Sequence, residues 1–157
     1  MRLFMIAMLF LIAGCETQQM KQQSTVFTAA DAIVDSNKYR GRDVIWGGTL
    51  ISTTNRKRET VLELLSYPVV SGRPRLSRPS QGRVLAIVPG FLDPAEYKPG
   101  KSIVVEGLFT GVRHGYVGGT STTYAVVEAR KAELRQSARS GYWPPNLHIG
   151  IGVFKQL

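Results

Sequence analysis

Between Val44 and Ala129 the chain is written in short runs of β-branched and aromatic residues separated by Gly, Pro, Asn and Ser, and none keeps a helical period. That rhythm predicts five strands, over Val44–Ser52, Thr60–Ser66, Val84–Val88, Ser102–Thr110 and Thr122–Ala129. In the first, Val44, Trp46, Gly48 and Leu50 fall on one face while Ile45, Gly47, Thr49 and Ile51 fall on the other, because side chains alternate along a strand. Paired glycines at its centre predict a bend or a close approach of another backbone. Upstream the pattern changes. Thr28 followed by Asp31 has the form of an N-cap with an acid in the first turn, and Ala29, Ala30, Ala32, Ile33 and Val34 carry a short helix to about Asn37. Its apolar side is narrow, so it is expected to cover one end of a sheet and to stop near Tyr39-Arg40-Gly41.

The polar stretches between the runs read as turns and loops. Thr53 to Arg58 makes a hairpin loop with three cations at its tip. Pro68 to Gln81 holds three prolines of its own and little periodicity, and is expected to be an exposed loop. Arg73, Arg75, Arg78 and Arg83 form the densest basic feature of the chain. With Lys57, the first three are candidate anion contacts, since guanidinium groups suit phosphate and carboxylate oxygens; a solvated loop is the simpler alternative. Asp93-Pro94 initiates a turn, which Phe91 and Tyr97 are expected to plug on either side, and Pro99-Gly100 makes a second turn. Residues His114 to Thr123, with Gly115, Gly118 and Gly119, lie between two strands and so read as a long hairpin, not as a phosphate cradle opening a helix.

The N-terminus has another character. Arg2 is followed by an uncharged apolar run from Leu3 to Ala13, the order of an export signal, and the run is shorter than the roughly 20 residues that span a bilayer. Ile12-Ala13-Gly14-Cys15 then resembles the lipobox of bacterial lipoprotein precursors, with the chain's single cysteine at the cleavage point. The resemblance implies removal of residues 1–14, a diacylglycerol thioether on Cys15 and a third acyl chain on its amine, which together anchor stably. Glu16 stands where such lipoproteins use aspartate to remain in the inner membrane, so the expected location is the outer membrane. Residues 15–25 are polar, with four glutamines, and read as a flexible tether. Loss of Arg2 with the leader lowers the formal net charge from +9 to +8. That excess favours acidic partners such as lipopolysaccharide phosphates or anionic headgroups, and export argues against nucleic acid.

Catalytic chemistry is hard to find. His114 and His148 sit in no metal-ligand spacing, and there is no Gly-x-Ser-x-Gly elbow. Glu59, Glu63, Glu106 and Glu128 fall in or beside strands, where solvent-facing positions are more common than a paired acid and base. No catalytic residue, metal or cofactor is therefore expected.

Tyr39-Arg40-Gly41-Arg42-Asp43-Val44-Ile45-Trp46-Gly47-Gly48, Gly82-Arg83-Val84-Leu85-Ala86, and Gly90-Phe91-Leu92-Asp93-Pro94 with Tyr97 resemble the Slp family of starvation-inducible outer-membrane lipoproteins. The similarity runs from about Val26 to Ala129, and the Gly-Phe-Leu-Asp-Pro element is its most specific part. It diverges after Glu133. The resemblance implies an envelope lipoprotein and brings no catalytic residues.

These readings combine into a leader over 1–14, a tether over 15–25, a β domain over 26–134 and a C-terminal tail over 135–157. The domain is expected to be mainly β: a small, partly closed antiparallel barrel of the oligonucleotide/oligosaccharide-binding (OB) kind with one short N-terminal helix, a β-sandwich being the alternative. The expected role is structural or binding, on the periplasmic side of the outer membrane, with another envelope protein or lipopolysaccharide as partner. The alternative is a module for acidic glycans or lipid headgroups. Tyr142-Trp143-Pro144-Pro145 and the alternating Ile149, Ile151 and Val153 would expose apolar groups unless the tail docks on its own domain or on a partner.

Overall fold

The computed structural model describes residues 27–135. The expected leader over 1–14, the expected tether with Cys15, and nearly all of the expected tail lie outside the described residues. Within them the chain forms helices α1 (Ala29–Val34) and α2 (Ser36–Tyr39), then strands β1 (Asp43–Asn55), β2 (Glu59–Tyr67), β3 (Val69–Val70), β4 (Arg73–Pro74), β5 (Arg83–Pro89), β6 (Ser102–Val117) and β7 (Thr120–Arg135).

Five of the strands close a barrel in the order β1-β2-β5-β7-β6, with β6 returning to β1. Four pairings are antiparallel, while β5 and β7 run parallel, from Arg83 opposite Tyr124 to Ile87 opposite Glu128. The result is the expected small OB-like barrel, which departs in two respects from a partly closed, antiparallel one. Its ring is closed, and one pair is parallel because the long β6–β7 hairpin brings β7 back along β5 in the same direction. A sandwich is excluded, since every barrel strand has a neighbour on both sides.

All five expected strands are present, and most run further than the sequence alone suggests. The hairpin of β6 and β7 extends past the barrel and turns on Gly118 and Gly119 (φ +55° and +83°). Both residues occupy the left-handed region, which a two-residue hairpin turn requires and glycine adopts without strain. The inward faces of the strands supply the core: Val44, Trp46, Leu50, Leu62, Leu64, Val84, Ala86, Ile103, Val105, Phe109, Ala125 and Val127. Gly48 shares the inward face of β1, and a Cβ built there lies 2.0 Å from the Leu65 carbonyl oxygen. The glycine pair therefore marks a close backbone approach.

The N-terminal segment caps the end of the barrel where β1 begins. Thr28 Oγ1 accepts from the Asp31 amide at 3.1 Å and the Asp31 carboxylate accepts from the Thr28 amide at 2.8 Å, a reciprocal capping box. These bonds hold the Asp31 carboxyl below its ordinary pKa. The single helix foreseen is two, because Asp35 ends the first and caps the second through the Lys38 amide. Phe27 then stacks on Tyr39 at 4.2 Å and meets Trp46 and Phe109 edge-on, and Trp46 Nε1 donates to the Phe27 carbonyl at 3.2 Å.

The opposite end is closed by the 90–101 loop. Thr60 is fully buried, and its hydroxyl lies 2.5 Å from Asn55 Oδ1 and 2.9 Å from the Gly90 carbonyl while accepting from the Leu92 amide. The Asp93 turn forms as foreseen, with Asp93 Oδ1 accepting from the Ala95 amide. Phe91 does not plug it: the ring is 72% exposed, and Leu92 with Tyr97 packs on the core instead. Gly90, at φ +84°, turns the chain so that Phe91 swings outward. Thr60→Val keeps the shape and removes every hydrogen bond of that hydroxyl. It should cost about 1–3 kcal/mol in urea unfolding and speed amide exchange at Leu92.

Candidate functional site

The Pro68–Gln81 connection leaves β2 at the helix-capped end of the barrel. Pro68 cannot donate to a ladder and ends β2, after which β3 and β4 form a two-residue ribbon that folds back over β1. Gly47 permits this crossing, since a Cβ there would sit 2.9 Å from both Pro74 Cγ and Val69 Cγ2. The loop is pinned by its backbone: the Arg75 amide donates to the Pro68 carbonyl at 2.8 Å, the Arg78 amide to the Arg75 carbonyl at 3.0 Å, and the Gln81 amide to the Ser66 carbonyl at 2.7 Å.

Two adjoining clefts result. One, of about 310 Å³, is walled by Phe27, Trp46, Tyr67, Val69 and Gln81 among others, near the lower end of ordinary ligand pockets at about 300–1,000 Å³. The second is a shallower basin of about 740 Å³ lined by Pro68, Val70, Arg75, Ser77, Arg78, Pro79 and Gln81. Neither is lined by an aspartate or glutamate. Arg73, Arg75 and Arg78 are all exposed, and among the described residues none of their guanidinium groups is in an ion pair.

The structure divides the predicted cations. Arg75 and Arg78 line one basin, with Arg73 on the adjoining ribbon. Lys57 belongs to the β1–β2 turn, and the nine residues of β2 set it about 30 Å away at ~3.3 Å per residue. It shares no cleft with the arginines. Arg83 is also separate, half-buried and paired with Glu63 at 2.6 Å. Burial, with Glu63 nearby, holds the neighbouring Tyr124 phenol above its ordinary pKa, so it stays neutral. His114 is exposed on the hairpin, 3.1 Å from Thr123 Oγ1. Among the described residues no three His, Cys, Asp or Glu side chains converge as metal ligands, and no helix is long and apolar enough to cross a membrane.

Two features escaped the sequence reading. Val70, just before the arginines, and Leu76, between Arg75 and Arg78, are 46% and 47% exposed, a signal present as apolar residues inside a loop of Pro, Gly and Arg. The aromatic wall of the smaller cleft had no linear signal, because Phe27, Trp46 and Tyr67 meet only when the ring closes.

Comparison with known proteins agrees with this picture at the level of family. The sequence profile described as "Outer membrane lipoprotein Slp family" matches residues 12–149. The chain is similar to the uncharacterized lipoprotein YeaY of Escherichia coli, 37% identical over 91 residues that cover 57% of this chain and 47% of that protein. An uncharacterized protein of Haemophilus influenzae is 28% identical over 137 residues, covering 84% of this chain and 74% of its own length. Outer membrane protein Slp of E. coli is 29% identical, with coverages of 71% and 62%. The matched region thus spans about half the length of YeaY. Among solved structures, a small single-stranded DNA-binding protein from Streptomyces coelicolor superposes with a TM-score of 0.35 at 14% identity, over 61% of this chain and 95% of its own.

Proposed function

The chain belongs to the outer-membrane lipoprotein Slp family, and we propose that it is a non-catalytic binding module of the cell envelope, held by a lipid on Cys15 and facing the periplasm. One observation carries the reading. The recessed, acid-free surface of the domain lies at the end where Phe27 leads the chain in from Cys15. The side chains there offer apolar walls, guanidinium groups and the hydroxyls of Thr28, Tyr67, Ser71 and Ser77, with no histidine, aspartate or glutamate in either lining to activate a hydroxyl, which suits holding an acidic partner. The barrel interior is filled by Leu, Val, Ile, Trp and Phe side chains, so it serves as a rigid support for its loops.

The anchor and the orientation are tested in cells. Labelled palmitate should enter the wild-type protein and be absent from Cys15→Ser, which should accumulate as an unprocessed precursor; equal labelling of the variant would refute attachment at Cys15. Protease added outside intact cells should leave the domain whole, and permeabilising the outer membrane should expose it. Digestion in intact cells would reverse the orientation.

A further inference from the structure

The Pro68–Gln81 loop interleaves two exposed aliphatic side chains, Val70 and Leu76, with three cations that have no ion-pair partner among the described residues, Arg73, Arg75 and Arg78. Elsewhere on the domain Arg56 pairs with Glu59, Arg83 with Glu63, Arg130 with Asp43 and Arg135 with Glu133, while Arg40, Arg42, Arg58 and Arg113 are in no ion pair among the described residues; the loop is set apart by holding three such cations between residues 73 and 78. The stretch from Pro68 to Gln81 contains no acid at all. Apolar tips rimmed by arginine are costly in plain solvent and suited to the boundary of an anionic bilayer, where aliphatic groups enter the acyl region and guanidinium groups stay among phosphates.

Position adds a second, independent argument. From Cys15 to Phe27 there are twelve residue steps, which extend to at most about 40 Å. Phe27 is fixed by Tyr39, Trp46 and Phe109 at the same end of the barrel that bears the loop. A chain anchored at residue 15 therefore enters at the end that bears the loop, while the 90–101 end stands a further barrel length, about 30 Å at ~3.3 Å per residue of β2, from that point of entry.

We infer that the Pro68–Gln81 loop is a membrane-docking element that seats on anionic phospholipid, with Val70 and Leu76 entering the interface, Arg73, Arg75 and Arg78 on headgroup phosphates, and one headgroup in the basin between Arg75 and Arg78. Docking turns single-point attachment into two-point attachment: the lipid supplies the affinity and the loop supplies the orientation. The inference deepens the proposed envelope role and rests on it for the choice of membrane. A module seated this way presents the β1–β2 turn and the 90–101 loop away from the bilayer.

The test uses the chain from residue 15 to 157, purified without lipid, and measures co-sedimentation with vesicles containing phosphatidylglycerol or made of phosphatidylcholine alone. Wild type should bind the anionic vesicles, and binding should fade as salt shortens the screening length from about 30 Å at 0.01 M to about 8 Å at 0.15 M. The triple variant Arg73→Ala, Arg75→Ala, Arg78→Ala should bind on the order of 100-fold more weakly, from roughly fivefold per interfacial cation. Val70→Ser with Leu76→Ser should weaken binding at every salt concentration. Lys57→Ala with Arg58→Ala, at the far end, should change it little. Thermal unfolding of each variant should match wild type, because the loop is pinned through backbone atoms.

Wild-type binding by the triple variant would overturn the inference. So would an equal loss from the Lys57 and Arg58 pair, which would mean that net charge alone acts. Displacement by soluble inorganic phosphate, at the phosphorus concentration of the vesicles, would leave a simple anion site and also overturn docking. The two readings fail separately. Arginine-dependent vesicle binding with no acylation of Cys15 would sink the proposed anchoring and keep the docking loop, and acylation without that binding would do the reverse.

Discussion

Gly48→Ala is expected to destabilise the barrel by about 3 kcal/mol or more, the upper range of overpacking effects. The new methyl would lie 2.0 Å from the Leu65 carbonyl oxygen, 2.8 Å from its carbon and 3.0 Å from Ser66 Cα. All three are backbone atoms of β2, so no side chain can rotate away; β1 and β2 must separate where Gly48 pairs with Ser66. The ladder bonds there and the buried Ser66 hydroxyl, 3.4 Å from the Gly47 carbonyl, lose their geometry together. Urea unfolding followed by tryptophan fluorescence should show a much lower midpoint. Gly118→Ala is the control: that site has open space and φ +55°, so the cost is only that of a left-handed alanine, about 1–2 kcal/mol. Equal midpoints for Gly48→Ala and wild type would show that the strands are further apart than described.

The strands were legible because burial alternates with period two along them and turn residues break the runs. Val44, Trp46 and Leu50 face inward as the pattern requires, and the capping box at Thr28 and Asp31 was visible from residue types alone. Closure of the ring was not, since it depends on β5 meeting β7, a pairing of residues some 40 apart with no local signal. The same kind of non-local fact separated Lys57 from Arg73, Arg75 and Arg78. They look like one cationic set in a linear reading, and a strand stands between them. Phe91 was misread because a large apolar residue beside a turn is usually buried, whereas the buried role passes to Leu92, whose amide and carbonyl are held by Thr60 and Asn55.

Phe109→Ala should cost about 3–5 kcal/mol, the range for removing a large buried aromatic. Phe109 is fully buried, 5.9 Å from the Trp46 ring and 6.4 Å from Phe27. Its backbone also ties the helical cap to the barrel, accepting from the Gly41 amide at 2.8 Å and donating to the Arg42 carbonyl at 2.9 Å. The loss should therefore be uneven. Amides of α1 and α2 should gain exchange first, while β2 and β5, paired over Glu59–Leu65, keep more of their protection. Tyr116→Ala, at a side chain 77% exposed on the hairpin, should stay within about 0.5 kcal/mol of wild type. Uniform loss of protection in Phe109→Ala would mean that cap and barrel unfold as one unit. Under the proposed acylation of Cys15 the distinction bears on function, because the aromatic cluster fixes where Phe27 enters the barrel and so which end would lie toward the membrane. On that proposal, a variant with a loosened cap but an intact barrel should incorporate palmitate as wild type does and bind anionic vesicles without a fixed orientation.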